Sequence, residues 1–207
     1  MSKNNKIFGV LLILSVVVLT LVLLFREEIV YYVRNIFKNE NYQMEYVEEI
    51  KSASEEFSVP EALVYAIIKT ESDFKADAVS SAGAIGLMQL MPDTFSWVST
   101  RLGETVSDDM IKDPKTNIRY GTYYLSFLIE RLENDEAIYA SYNAGYTRVC
   151  GWLSDSRYSS DGKKLDTIPY DETAEYVKRV IRAKKEYESI LSKEANKSIS
   201  SSISNSK

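Results

Sequence analysis

The sequence predicts a mainly α-helical protein, in which one folded domain follows a single N-terminal transmembrane helix. Three observations support this class. Residues 7–25 form an uncharged apolar run, the rest of the chain is punctuated by helix-starting and helix-ending residues, and no alternating pattern of useful strand length is present. The 207 residues are 45% hydrophobic and 27% charged, which is typical of a globular chain with one main domain.

The apolar run IFGVLLILSVVVLTLVLLF (7–25) is predicted to be a membrane anchor. At about 1.5 Å per residue, a helix of this length crosses roughly 30 Å of hydrocarbon. The run passes directly into Arg26 without a small-x-small cleavage site, so we interpret it as an uncleaved anchor rather than a signal peptide. Lys3 and Lys6 in the short segment 1–6 favour a cytoplasmic N-terminus, which places the remaining chain outside the plasma membrane.

The rest of the chain is predicted to contain a stalk (26–45), a helical domain (46–191) and a disordered tail rich in Ser, Lys and Asn (192–207). Residues that typically start helices (Pro, Asp, Asn) or end them (Gly) divide the domain into segments. They predict helices from Pro60 to about Phe74, Pro92 to Gly103, Asp113-Pro114 to Leu132, Asn134-Asp135-Glu136 to Gly145, and Asp171 to about Leu191.

Charge and residue usage exclude several classes of function. The formal net charge is −5, which argues against nucleic acid as a partner because phosphate binding needs clustered basic charge. The sequence has no histidine, so Ser-His-Asp catalysis, Cys-His catalysis and histidine-ligated metal sites are excluded. Cys150 is the single cysteine and is interpreted as a small buried residue. Neither a metal nor a cofactor is predicted.

An acidic residue continues the apolar stripe of the helix that begins at Pro60. Glu71 lies eight residues after Leu63 and four after Ile67, so helical periodicity places it on the same face. A carboxylate on a face that packs into the core is costly unless it has a partner or a function. Taken alone, an ion pair with a lysine or a cap on a neighbouring helix explains it best.

Three further stretches hold polar residues among small or apolar ones. Gln89 is the lone amide in SSAGAIGLMQLMP (80–92), Tyr142 and Asn143 precede the helix-ending Ala-Gly of ASYNAGY (140–146), and Tyr176 begins an apolar stripe in IPYDETAEYVKRV (168–180). Each also has a structural explanation: a satisfied core amide, a helix C-cap, and a half-buried packing residue.

Taken in order, these stretches resemble the lytic transglycosylases of the soluble-type (SLT) family, over roughly residues 57–187. The matching elements are Glu71-Ser72, Gly86-Leu87-Met88-Gln89-Leu90-Met91-Pro92, Tyr142-Asn143-Ala144-Gly145 and Glu172-Thr173-x-x-Tyr176-Val177. The resemblance implies a helical domain like goose-type lysozyme. It also implies cleavage of the β-1,4 bond between N-acetylmuramic acid and N-acetylglucosamine in peptidoglycan, leaving a 1,6-anhydromuramoyl end.

The resemblance also implies residue roles. Glu71 corresponds to the single catalytic acid/base, and Tyr176 to a tyrosine that approaches it from the last helix. Substrate binding is implied for Ser72, which would also help to orient Glu71, and for the residues expected to line the sugar groove: Met88, Gln89, Tyr142 and Asn143. The sequence departs from the family at Ser141, where alanine is usual, and at Cys150.

Most glycosidases use two carboxylates, and this sequence offers no obvious second one. Asp73 would project about 200° from Glu71 around a continued helix. The mechanism proposed for the family avoids a second carboxylate. A protonated Glu71 donates to the glycosidic oxygen while the muramoyl N-acetyl group stabilises the anomeric carbon, and Glu71 then deprotonates the C6 hydroxyl that attacks C1.

Two alternatives stay open at the level of sequence. A hydrolytic muramidase would share the fold but use water as the attacking group, and a tethered wall-binding scaffold would retain the groove without cleavage. Fold alone does not separate an enzyme from a binder. The predicted partners are peptidoglycan strands and the plasma membrane, together with an envelope-spanning or division machinery that no residue identifies.

Overall fold

The computed structural model describes residues 14, 20, 21, 25, 26, 28 and 42–205. The chain divides into two units, Met1–Asn41 and Tyr42–Lys207, and the second is described below. Apart from isolated positions, segment 1–6, the predicted anchor 7–25 and most of the predicted stalk 26–45 lie outside the described residues. Within the part of the chain that is described, no helix is both long and apolar enough to cross a bilayer.

The mainly α-helical class is confirmed for residues 42–205. The helices there are α1 (Val47–Phe57), α2 (Glu61–Glu71), α3 (Pro92–Leu102), α4 (Pro114–Ile129), α5 (Asp135–Ala144), α6 (Tyr146–Leu153) and α7 (Asp171–Asn205). A 3-10 helix spans Asp108–Lys112, and isolated β-bridges join Val79 to Ile85 and Ile85 to Leu90.

Capping chemistry confirms three predicted boundaries. Gly103 ends α3 in the left-handed region at φ 70°, which glycine adopts without steric cost. The Asp113 side chain accepts from the Thr116 N–H at 2.8 Å, and the Asn134 side chain accepts from the Ala137 N–H at 3.1 Å. Both are N-cap bonds that satisfy backbone donors at the starts of α4 and α5.

Other boundaries differ from the prediction. Helices α1 and α6 have no strong start or stop residues in the sequence, and α4 ends at Ile129 rather than Leu132. The last helix continues to Asn205, so the prediction of a disordered tail beginning at residue 192 needs correction up to that residue. The segment contains neither glycine nor proline, and extending an existing helix costs far less than nucleating one.

Packing places α2 at the centre of the domain. Helix α7 packs against α2 and α5, while α1 packs against α4. The larger hydrophobic cluster includes residues from α1, α2, α4, α5, α6 and α7, and the smaller one contains Leu90, Phe95, Val98, Ile111 and Tyr120. Tyr124 of α4 packs against both clusters.

Candidate active site

Glu71 is the last residue of a core helix. Every residue from Ala62 to Ile68 is buried, so α2 is enclosed on all sides rather than along the single stripe that the sequence suggests. Glu71 itself is partly exposed, at the point where this helix emerges from the core. The carboxyl group therefore belongs to an apolar helix and can still be reached.

The helix stops at Glu71 instead of continuing to Phe74. Asp73 and Phe74 both have left-handed backbone angles, with φ 53° and φ 62°, which are strained for residues other than glycine. Asp73 is exposed and forms an ion pair with Lys69. Asp73 thus points to solvent because the helix ends in a turn, and not because of the 200° helical rotation inferred from the sequence.

The Tyr176 hydroxyl donates a hydrogen bond to Glu71 Oε1 at 2.7 Å. Tyr176 lies in the second turn of α7 and is 2% exposed. Burial raises the pKa of Glu71 to about 7, although the Tyr176 bond and the nearby Arg179 cation both lower it. A carboxyl group with this pKa is present in both protonation states near neutral pH.

Tyr142 of α5 lies close to the same carboxyl group. Its hydroxyl donates to the Met88 carbonyl oxygen at 2.9 Å. The pKa of Tyr142 is well above its usual value, first because of burial and second because of the charge of Glu71. The pKa of Tyr176 is raised by burial and then by Glu71 and Tyr142, so the three side chains are close enough to interact.

The prediction that the Met88 side chain lines the groove needs correction. Met88 is fully buried. Its sulfur packs where Gly121 of α4 leaves room, since a Cβ atom at Gly121 would lie 2.4 Å from Sδ. The side chain therefore supports the loop 80–91 from within the domain, and its carbonyl group is what reaches Tyr142.

Gln89 is partly exposed and stabilises the loop that carries it. Its backbone adopts φ 48°, and its side-chain amide donates to the carbonyl oxygens of Ala78 at 3.1 Å and Gly86 at 2.9 Å. The amide hydrogens are thus used within the loop. Among the described residues no donor reaches the amide oxygen, which is left to accept a hydrogen bond from a ligand.

Ser72 connects the end of α2 to this loop. It is 7% exposed, and its hydroxyl contacts the carbonyl oxygens of Leu87 at 2.8 Å and Ile68 at 3.2 Å. A buried hydroxyl used in this way is not available to a sugar. The prediction of substrate contact is therefore replaced by an indirect role, in which Ser72 fixes the turn directly after Glu71.

Asn143 is exposed, and its side-chain oxygen accepts from the Thr173 hydroxyl at 2.8 Å. Thr173 belongs to the first turn of α7, one turn before Tyr176. Thr173 was not assigned a role from the sequence, although it lies in the Glu-Thr-x-x-Tyr stretch that carries the resemblance. The first two turns of α7 therefore contact both α2 and α5.

Asn117 is a residue that sequence reasoning missed. It is fully buried in α4, and its amide oxygen accepts from the Met88 N–H at 2.8 Å. Its amide nitrogen donates to the carbonyl oxygens of Ile111 at 2.8 Å and Ile85 at 3.0 Å. Lys115, Thr116 and Arg119 surround it in the sequence, so no local pattern marks Asn117 as a buried amide. Asn117 holds the loop against α4.

Replacing Asn117 with alanine is expected to lower the free energy of unfolding by about 2–5 kcal/mol. The substitution leaves the Met88 N–H and the Ile111 carbonyl oxygen without partners, each at a cost of about 1–3 kcal/mol if no water replaces the bond, while the Ile85 carbonyl oxygen still accepts from the Leu90 N–H. Urea unfolding measured by circular dichroism tests this, with Asn196→Ala as the exposed amide control. A loss below about 1 kcal/mol would show that the loop does not depend on Asn117.

The hydroxyl group of Ser141, directly before Tyr142, is expected to lower the free energy of unfolding. It is fully buried, and its hydroxyl has no hydrogen-bond partner among the described residues. Ser141→Ala should therefore raise the free energy of unfolding by about 1 kcal/mol. Differential scanning calorimetry would show a melting temperature about 2–4 °C higher. Ser72→Ala, which removes a bonded hydroxyl, should shift it downward; a decrease in the Ser141→Ala protein would contradict this account.

Three or more potential metal ligands do not cluster anywhere in the part of the chain that the structure describes. The chemistry available in these residues is that of a carboxyl group poised near neutral pH, with a tyrosine hydroxyl bonded to it. This arrangement can donate and accept a proton at one atom.

Comparison with known proteins adds independent information. Residues 48–165 match the family model described as the transglycosylase SLT domain. The chain is 33% identical over 146 residues to the soluble lytic murein transglycosylase of Escherichia coli K12, covering 69% of this chain and 23% of that protein. It is 32% identical over 167 residues to the membrane-bound lytic murein transglycosylase C of Pectobacterium atrosepticum, covering 69% and 46%.

Solved structures show the same similarity. An inactive mutant of the lytic transglycosylase Slt from Pseudomonas aeruginosa aligns with a TM-score of 0.67 at 31% identity, over 82% of this chain and 29% of that one. The 70 kDa soluble lytic transglycosylase of Escherichia coli aligns with a TM-score of 0.65 at 29% identity, over 73% and 25%. The chain spans less than half the length of each of these four proteins.

Proposed function

Because the chain belongs to the transglycosylase SLT family, we propose that it is a peptidoglycan lytic transglycosylase. Its reaction cleaves the β-1,4 bond between N-acetylmuramic acid and N-acetylglucosamine and forms a 1,6-anhydromuramoyl end. The observation that carries the proposal is the 2.7 Å contact between the Tyr176 hydroxyl and a Glu71 carboxyl group whose pKa is about 7.

In the first step Glu71 acts as a general acid. Its raised pKa keeps a large fraction of the carboxyl group protonated at neutral pH, which a carboxyl group of ordinary pKa would not achieve. The proton passes to the glycosidic oxygen, and the C1–O bond breaks. The acetamido oxygen of the muramoyl residue attacks C1 and stabilises the positive charge that develops there.

In the second step the same carboxylate acts as a general base. It removes the proton from the C6 hydroxyl of the muramoyl residue, whose oxygen attacks C1 and displaces the acetamido oxygen. The attack is intramolecular, so it needs no bound water and benefits from a high effective concentration. Glu71 ends the cycle protonated, and the Tyr176 hydroxyl holds its carboxylate in place between the two steps.

This route accounts for a site with one carboxylate. Among the described residues, Arg179 is the charge that moves the pKa of Glu71, and no acidic residue contributes. Asp73 is the nearest acid in sequence and is exposed and paired with Lys69. A two-carboxylate mechanism requires a second carboxyl group about 5–9.5 Å from the first across the bond.

The remaining site residues shape the groove. Tyr142 and Asn143 present side chains from α5, and Gln89 leaves its amide oxygen able to accept from a sugar hydroxyl or N–H. Ser72 and Met88 act from beneath the surface, through the Leu87 carbonyl and the packing on Gly121. Substrate recognition is therefore by shape and hydrogen bonds, in keeping with the acidic composition of the chain.

We further propose that residues 7–25 anchor the protein in the plasma membrane, with its N-terminus in the cytoplasm and the catalytic domain outside. The uncharged run supports this, as do the membrane-bound members among its relatives. An anchored enzyme acts on wall close to the membrane, a location suited to an envelope-spanning or division machinery.

Mass spectrometry of soluble products tests the function. The full-length protein in mild detergent is incubated with peptidoglycan sacculi, beside Glu71→Gln and the exposed-acid control Asp73→Asn. Products lighter by one water than hydrolysed disaccharide-peptides, formed by the wild-type and control proteins, support the proposal. Reducing-end products would identify a muramidase instead, and sacculus binding without products would identify a binding scaffold.

A further inference from the structure

Two side chains at the start of α7 contact the two helices that form the site. Tyr176 donates to Glu71 of α2, and Thr173, one turn earlier, donates to Asn143 of α5 at 2.8 Å. Thr173 is 2% exposed, whereas Asn143 is exposed. A buried hydroxyl is therefore bonded to an amide that faces solvent.

In the structure the oxygen end of the Asn143 amide is bonded to Thr173, and the nitrogen end is the free one. A hydroxyl has one hydrogen to donate, and here it goes to Asn143 Oδ1. Since a side-chain amide is planar, fixing the oxygen also fixes the NH₂ group on the other side. Among the described residues, no acceptor is bonded to Asn143 Nδ2. The exposed end of Asn143 is thus a hydrogen-bond donor.

A fixed donor selects among the groups of a glycan. Sugar hydroxyls can donate or accept, so they tolerate either end of an amide. The carbonyl oxygen of an N-acetyl group can only accept, and it meets a matching partner only when the NH₂ group faces it. We propose that Thr173 is a positioning residue that holds Asn143 so that its amide nitrogen donates to the N-acetyl carbonyl oxygen of a bound sugar. This rests on the proposed function.

The test compares two neutral oligosaccharides of equal length, one made of N-acetylglucosamine and one of glucose. Binding to the full-length Glu71→Gln protein is measured by isothermal calorimetry, which avoids turnover. Adding Thr173→Val, which exchanges the hydroxyl for a methyl group, is expected to weaken binding of the N-acetylated oligomer about three- to tenfold, the range of one hydrogen bond. Binding of the glucose oligomer should not change, and Thr173→Ser should restore the parent affinity.

Steady-state kinetics distinguish a positioning role of Thr173 from a general loss of structure in the variant. With Glu71 intact, Thr173→Val should raise KM on sacculi by a similar factor and leave both kcat and the pH profile unchanged. Equal loss for both oligomers, no loss for either, or a parent protein that does not bind the N-acetylated oligomer would overturn the proposal. The binding assay needs no catalysis, so its failure is distinguishable from the absence of anhydro products, which would overturn the proposed function.

Discussion

The Glu71→Gln protein is expected to form anhydro products at least about a thousandfold more slowly than the wild-type protein. Glutamine keeps the size of the side chain and can still accept from Tyr176, but it can neither give nor take a proton at working pH. General acid–base catalysis contributes about 10²–10⁴-fold, and here one carboxyl group serves both transfers. Initial rates of product release from sacculi, quantified by mass spectrometry, measure the loss.

The same substitution should not destabilise the fold, which separates lost chemistry from lost structure. The folded-state pKa of Glu71, about 7, lies above its ordinary value of 4.5. The folded state therefore binds the proton more tightly, and stability falls as pH rises from about 4.5 to about 7. Glu71→Gln removes this dependence, so at pH 8 its melting temperature should equal or exceed that of the wild-type protein. Activity within tenfold of Asp73→Asn would exclude Glu71 as the acid.

Tyr176→Phe is expected to slow turnover by about tenfold. It should also shift the alkaline limb of the pH–rate profile to higher pH. Removal of the hydroxyl deletes a hydrogen bond that favours the ionised carboxylate, so the pKa of Glu71 rises above about 7. The acid form then persists to higher pH, while the carboxylate loses the group that orients it. Rates on sacculi between pH 5 and pH 9 test both effects.

Tyr158→Phe is a suitable control for this prediction, because the Tyr158 hydroxyl makes no hydrogen bond with the described residues. It should leave the rate and the profile unchanged. A Tyr176→Phe profile that keeps its alkaline limb in place, at an unchanged rate, would remove Tyr176 from the catalytic machinery. A shifted limb at an unchanged rate would leave Tyr176 a role in setting the pKa of Glu71 only.

The sequence pattern singles out Glu71 because its position is unusual within one helix, although the proposed role as the acid comes from the resemblance. Glu71 follows apolar residues at helical spacing, and that information is local. Tyr176 could be paired with it only through the resemblance, since the contact joins positions 105 residues apart. Periodicity within either helix contains no information about which other helix lies beside it.

Met88 and Ser72 show why side chains that contact substrate are harder to predict than the acid. Each is a neighbour in sequence of a proposed site residue, Gln89 or Glu71, but the direction of each side chain depends on a distant element. Met88 turns inward because Gly121 of α4 leaves space, and Ser72 because the Leu87 carbonyl lies within reach. Helices α1 and α6 were missed for a related reason: neither has a proline start or a glycine stop, and packing stabilises them.

The position of α7 has a consequence for when the candidate site is assembled. Synthesis runs from the N-terminus, so Glu71 leaves the ribosome well before Tyr176 and Thr173, which lie on the last of the described helices. Until α7 docks, Glu71 has no Tyr176 hydroxyl beside it and Asn143 has no fixed orientation. The hydrogen bonds at Glu71 and Asn143 can therefore form only after the last of the described helices has been made and has docked.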